Sequence, residues 1–299
     1  MSGMQQTLPR STWLLLIALT LGWGLNWPIM KIALAELPVW TFRGLSVAGG
    51  AVGLFLITAA SNTRLLPQRN QWIRLSMSSL FNVTLWNVFI GYGLTLLPAG
   101  RSVILAYVMP LWVVLLSYFV LGESMTRRRV LGVALGMAGM GLLLLNEWAI
   151  LKGAPVGALL VLGAAASWAI GTVLIKRYPT NLPTTSFTAW QLLLGGILIV
   201  VGALLFERHT WHAVSWRASA AVIYNMTIAF VFCYWAWFKI VSRAAAGVSA
   251  LGTLMIPVVG VFSSMVLLGE RPSWAEYAAM VLVFAAVATV VIPPRRLTG

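Results

Sequence analysis

Ten apolar runs, each close to twenty residues long, limit what this chain can fold into: roughly 12–34, 39–60, 72–95, 99–121, 128–146, 155–175, 184–206, 216–238, 245–268 and 273–292. A helix needs about 20 mainly apolar residues to cross a bilayer. The connections between the runs are short and rich in Pro, Gly and Asn, and none could hold a soluble domain. Only 9% of the residues are charged and 60% are hydrophobic, whereas a soluble domain carries about 25% charged residues. The chain therefore reads as an all-α integral membrane protein. The net charge of +14 raises the possibility of a nucleic-acid partner. That reading fails, because the basic residues sit in short clusters between apolar runs, where cytoplasmic flanks place them. The single cysteine, Cys233, lies in an apolar run, which rules out an intrachain disulfide. The N-terminal MSGMQQTLPRSTW leads into a run of full spanning length without a convincing cleavage site, so it is read as a retained first helix.

One stretch occurs twice. Residues 99–123 and 246–270 align without a gap and share nine of 25 positions, including Pro110 with Pro257 and Gly122-Glu123 with Gly269-Glu270. Other pairs follow at nearly the same offset: Trp23 with Trp168, Lys31 with Lys176, Pro38 with Pro183, Asn82 with Asn225. A period near half the chain is too long for a solenoid. It divides the chain into residues 1–147 and 148–299, with five runs in each. Five is odd, so the second half enters the membrane from the opposite side. Inverted repeats of this kind permit alternating access to a site near the midplane.

These features resemble the drug/metabolite transporter superfamily in its EamA-type branch. The resemblance rests on the ten-run layout, the early Trp23-Gly24-Leu25-Asn26-Trp27-Pro28 segment and the paired Pro…Gly-Glu helices, and it covers nearly the whole chain. The Trp-rich first helix is similar to that of YddG-type exporters of aromatic amino acids. The resemblance implies a carrier in a bacterial inner (plasma) membrane that moves small molecules, and it is not an enzyme. The expected substrates are neutral and aromatic amino acids with broad specificity; the alternative is export of aromatic cations or drugs.

The residues support that expectation by what is missing as well as by what is present. All six acidic residues are glutamates, and Glu36, Glu123, Glu147, Glu207, Glu270 and Glu276 fall at the ends of runs or between them. Intramembrane ionisable groups mark proton and ion relays, so transport without a membrane-embedded carboxylate is expected. A phosphate-binding G-x-x-x-x-G-K-[ST] loop is missing. No cofactor is expected. No metal is expected either, since His209 and His212 sit in a loop with no third ligand near them.

Fifteen tryptophans and seven tyrosines are the positive signal. Trp13, Trp40, Trp72, Trp148, Trp211, Trp216 and Trp274 suit an interfacial belt. The deeper set can wall a pocket for a small amphipathic solute, through ring stacking or attraction of an ammonium group. The substrate-binding candidates are Trp23, Asn26, Trp27, Asn82, Trp86, Tyr107, Trp168, Trp190 and Tyr234. Trp23, Trp27 and Met30 share a helix face, as do Asn82, Trp86 and Phe89. Amides at Asn26, Asn82, Asn87, Gln191 and Asn225 either bind the solute or bond between helices. Arg43, near the outer end of the second run, is read as snorkelling to the surface rather than binding a carboxylate. Pro28, Pro110 and Pro257 break or kink their helices and are the hinge candidates. Glu123 and Glu270 are read as caps on the turn and the helix that follows. The glycines of helix 5 (Gly132, Gly136, Gly139) suit packing within one chain, and a monomer is expected.

Thirteen Lys and Arg residues flank the runs on the N-terminal side of the membrane and six on the other. The excess predicts that both termini are cytoplasmic. Topology reporters fused at either terminus should report the cytoplasm, while a reporter in the connection at 97–98 should report the opposite side.

Overall fold

The structure is a computed structural model. It describes residues 10–61, 63–150, 154–237 and 246–291, with the side chains at 10–13, 143–144, 146–150, 154, 246–254, 287 and 290–291 outside the description. The belt candidates Trp13 and Trp148, the acid Glu147 and the basic residues Lys239, Arg243, Arg295 and Arg296 all fall outside it. The described residues are helical, without strands.

The helical stretches are α1 (Arg10–Leu34), α2 (Val39–Ala60), α3, α4 (Ala99–Ala106 and Met109–Leu121), α5 (Arg127–Ile150), α6 (Ala154–Arg177), α7 (Thr184–Gly202), α8, α9 (Ala246–Leu268) and α10 (Trp274–Val291). α3 runs as Trp72–Ser79, passes through π-turns at Leu80–Leu85 and resumes as Trp86–Leu96. α8 begins as Trp216–Tyr224 and also goes over to π-turns, at Asn225–Phe232. Six of the described helices are long and apolar enough to cross a membrane, among them Leu14–Leu34, Val39–Ala60 and Pro155–Arg177. Large apolar side chains such as Phe119 and Val266 lie on the outside, where lipid rather than water is the neighbour.

The extensive helix pairings have a simple pattern: α1 with α9, α4 with α6, α3 with α6, α1 with α8, α2 with α8, α3 with α7, α4 with α9, α2 with α7 and α5 with α10. Adding five to the first five labels and subtracting five from the rest returns the same set. Glycine admits several of these approaches. A Cβ on Gly136 would land on the Leu111 side chain of α4, and Gly139 lies against Leu282 and Val283 of α10. The helix-5 glycines Gly136 and Gly139 thus seat α5 within the chain.

The proline expectations need correction. α4 stops at Ala106 and restarts at Met109, so Pro110 opens a new helix rather than kinking the middle of one. The cause is local. The ring clashes with the carbonyl four residues back and offers no N–H, and Tyr107 and Val108 form the turn between the two pieces. Pro257 and Pro28 lie inside α9 and α1, which stay helical through them. Neither proline breaks its helix.

Carboxylates close one face. Glu207 accepts from the backbone N–H groups of Trp40 (3.1 Å) and Thr41 (2.7 Å) in the first turn of α2. Glu270 accepts from Ala99 (2.6 Å) and Gly100 (2.9 Å) in the first turn of α4. Glu36 accepts from the N–H (2.7 Å) and hydroxyl (2.5 Å) of Ser215, the N-cap of α8. Glu276 closes a capping box with Ser273 and also binds Arg101 at 3.0 Å. The first four N–H groups of a helix have no partner in that helix, and a negative charge there is favoured by about 0.3–1 kcal/mol. Glu270 therefore caps a helix far back in the chain, not the one that follows it. The Ser215 hydroxyl and then its N–H hold the Glu36 carboxyl below the usual carboxylate range. That contact is intact at neutral pH and is lost as pH falls through the lowered pKa. At the same face, Lys31 donates to the carbonyls of Leu94 and Leu97 at the end of α3. On the opposite face Glu123 pairs with Arg129 at 3.0 Å and approaches Lys176 at 3.9 Å.

Gly122 and Gly269, the related helix stops, both have φ +68° with open space around a would-be Cβ. Only the backbone angle demands glycine there. Gly122→Ala and Gly269→Ala should each cost about 1 kcal/mol, seen as lower melting temperatures in detergent. Gly141→Ala, in α5 with equally open space, should melt no lower than the wild type.

Candidate functional site

Two cavities share a wall. The first is a recess of about 100 Å³ toward the capped face, lined by α1, α2, α3, α6 and α8 together with the break in α4. The second holds about 710 Å³ and extends to Glu123, Arg129, Lys176 and Thr180 at the opposite face. Trp23, Tyr107, Met109, Trp168 and Tyr234 line both. The larger cavity lies within the usual size range of small-molecule sites, about 300–1,000 Å³.

Each wall residue has a local reason for its place. Trp23, Trp27 and Met30 do share a face of α1, and all three line the recess. Trp23 Nε1 donates to the carbonyl of Ala229 at 3.2 Å. Its ring meets Tyr234 edge-on at 5.8 Å. Trp86 and Trp168 are 5.0 Å apart between ring centres. The break before Pro110 puts Tyr107 and Met109 on the wall. The π-turns matter as well. A π-turn adds a residue to the helical ladder and is frequent at functional sites. Ala229 accepts Trp23 from within the π-turns of α8, and Phe81 accepts the Ser167 hydroxyl (2.7 Å) within those of α3.

Of the nine expected binding residues, Trp23, Asn26, Trp27, Trp86, Tyr107, Trp168 and Tyr234 line the recess. Asn82 lines the larger cavity and donates to the carbonyl of Trp168 at 3.1 Å. Asn82 and Trp86 both meet Trp168 of α6. Trp190 is brought elsewhere. It donates to the Leu65 carbonyl at 2.8 Å and packs between Phe55 and Trp72, at 5.1 and 4.8 Å. It lines neither cavity. Asn87 lines the recess and Gln191 the larger cavity. Asn225 bonds within its own helix, to Ala221 at 3.1 Å.

Arg43 overturns its expectation. It does not snorkel: it is 2% exposed and lines the recess. Its Nε and Nη2 have no hydrogen-bond partner in the protein, and neither does Asn26 Oδ1. Position near a run's end suggested a route to the surface, but α2 turns this side chain inward against Gly91 of α3. Among the described residues no carboxylate lines the recess, and Glu123 is the one acid lining the larger cavity.

Comparison with known proteins adds the following. Residues 10–145 and 155–292 each match the EamA-like transporter family. The chain is 29% identical over 291 residues to the "Uncharacterized transporter YvbV" of Bacillus subtilis (strain 168), covering 96% of this chain and 93% of that one. It is 23% identical over 297 residues to a "Probable amino-acid metabolite efflux pump" of Escherichia coli (strain K12), covering 92% of each. A protein of known crystal structure shares the fold with a TM-score of 0.69 at 24% identity, covering 97% of this chain and 99% of that one.

Trp86 and Trp190 give opposed expectations. Trp86→Ala should weaken solute binding at least tenfold with a small change in melting temperature. Trp190→Phe loses the Leu65 bond and should lower the melting temperature while leaving affinity unchanged. Thermal-shift titrations of the purified protein measure both.

Proposed function

The chain belongs to the EamA-like transporter family and is a membrane transporter, and we propose that it exports amino acids, neutral and aromatic, by alternating access. One observation carries this reading: a cavity walled by the rings of Trp23, Trp27, Trp86, Tyr107, Trp168 and Tyr234, which come from both halves of the chain. Flat rings with a few amides suit a solute that has an apolar side chain and a polar head. The Escherichia coli relative, described as a probable amino-acid metabolite efflux pump, points the same way.

The proposed architecture is ten spans in two inverted five-helix repeats, residues 1–147 and 148–299, with both termini in the cytoplasm. The exchange-invariant helix pairing supports it. The capped face is then the outer one, and the larger cavity opens to the cytoplasm between α4, α6 and α7. The substrate enters from inside, the outer caps part, and the inner mouth closes. Pro110 and Pro257 are the proposed bending points, because one of two related helices is broken at its proline and the other is continuous. Pro28, inside α1, is the third.

No carboxylate relay is proposed. Among the described residues, Glu36, Glu207, Glu270 and Glu276 are engaged at helix N-termini and Glu123 with basic side chains. The driving force is then the solute gradient or exchange.

In proteoliposomes, labelled tryptophan should show counterflow, and Trp27→Ala should slow it at least tenfold with normal protein yield. An imposed pH gradient alone should produce no uphill accumulation. Wild-type rates in both tryptophan variants, Trp27→Ala and Trp86→Ala, would remove these rings from the site.

A further inference from the structure

We infer that Arg43 and Asn26 form a head-group anchor at the closed end of the cavity, which selects solutes bearing a carboxylate beside an ammonium group and rejects those whose only charge is positive. The inference rests on the exporter reading of the same cavity and adds the polarity of its substrate.

The guanidinium keeps its charge at any physiological pH. Taking an ion out of water costs several kcal/mol unless partners replace the lost hydration. Arg43 has given up that hydration, yet two of its nitrogens are buried without a partner. An arginine that served only to tie helices together would spend those donors on carbonyls or a carboxylate. No carboxylate lines the recess with it. The recess also takes Trp27 and Met30 from α1, Asn87 and Ile90 from α3, and Phe230 and Tyr234 from α8; Tyr234 interacts electrostatically with the guanidinium, and Nε and Nη2 still lack a hydrogen-bond partner. The ring of Phe42, next to it in sequence, lies 5.1 Å from the guanidinium carbon. A ring face attracts a cation but accepts no in-plane N–H bond. The unmet demand is for a planar anion, and a carboxylate matches the guanidinium fork in two parallel bonds.

The complementary demand is at Asn26. Its Oδ1 is a buried acceptor without a donor, in the same recess. An ammonium group is donor-only. Donors without acceptors and an acceptor without a donor, at the end of one pocket, describe an α-amino acid head group. Size agrees. The recess of about 100 Å³ suits a head group and is too small to hold an indole ring as well. The ring belongs beyond the shared wall, in the 710 Å³ aromatic cavity. A purely cationic aromatic solute would meet the same rings but would face a buried positive charge at the end.

The test is competition against counterflow of labelled tryptophan in proteoliposomes holding the full chain. Unlabelled tryptophan should compete at least tenfold better than tryptophanamide or tryptamine, which lack the carboxylate. Arg43→Gln should raise the half-saturation for tryptophan at least tenfold and abolish that preference. Arg43→Lys should recover part of it. Asn26→Ala should weaken tryptophan while leaving indole-3-propionate, which has no ammonium group, unchanged. Equal competition by tryptamine and tryptophan on the wild type overturns the anchor, and that result does not depend on any variant folding. If the wild type exchanges no amino acid, the exporter reading falls by itself. The anchor is then judged by thermal shift in detergent: stabilisation by indole-3-propionate over tryptamine, lost in Arg43→Gln, upholds it. No preference overturns it.

Discussion

Carboxylates set on the first turns of helices organise this molecule. Glu207 on α2, Glu270 on α4, Glu36 on α8 and Glu276 on α10 each satisfy backbone N–H groups that the helix itself leaves open. All four lie at one face. Three of them join segments far apart in the chain. They gather the ends of α2, α4 and α8 above a packed layer that includes Leu97, Ala99, Val103 and Val261. Lys31 does the converse at the carbonyl end of α3. Charge is scarce in this chain, and most of its described acidic side chains serve helix ends. The opposite face has Glu123 with Arg129 and Lys176, side chain to side chain, and there the larger cavity reaches the surface.

Between the two faces, the interior is a compromise between packing and vacancy. In a bilayer the alternative neighbour of a side chain is lipid, so burial alone gives little drive for helices to associate. Small residues and hydrogen bonds must bring them together. Gly136, Gly139 and Gly171 stand where a Cβ would meet the next helix, and Ser167, Trp23 and Asn82 bond across helices to carbonyls. Between the two faces those contacts leave space, and aromatic rings line it. A ring wall is apolar enough to persist in the membrane and polarisable enough to hold a solute with a charged head. Arg43 and Asn26 give the closed end of that space its polarity.

Symmetry and its violation are both informative. The two π-turn segments occupy related helices, around Asn82 and Asn225, and each offers a carbonyl to the first helix of the other half. The related prolines do not behave alike. Pro110 starts a helix after a break, while Pro257 sits in an unbroken one. On the proposed alternating-access reading, two copies of one motif in two shapes give the carrier unlike faces, one copy bent and one straight, with the alternative state exchanging them.

The amino-acid sequence determined the all-helical membrane class, most helix ends, the duplicated Pro…Gly-Glu segment and seven of the aromatic and amide residues that gather in the recess. These were legible because apolar length, helical spacing and glycine stops are local properties, written in consecutive residues. The sequence could not place Trp190, Arg43 or Glu270. Trp190 looked deep because its run is apolar, but its partner is Leu65, 125 positions away. Arg43 looked able to reach water because it sits near a run's end, yet the direction of its side chain depends on how α2 rotates against α1, α3 and α8. Glu270 looked like a cap for its neighbour, and its N–H partners are about 170 residues earlier. Rotation about a helix axis and the approach of distant helices are set by packing across the bundle, so only the tertiary structure decided which charges face the cavity and which close it.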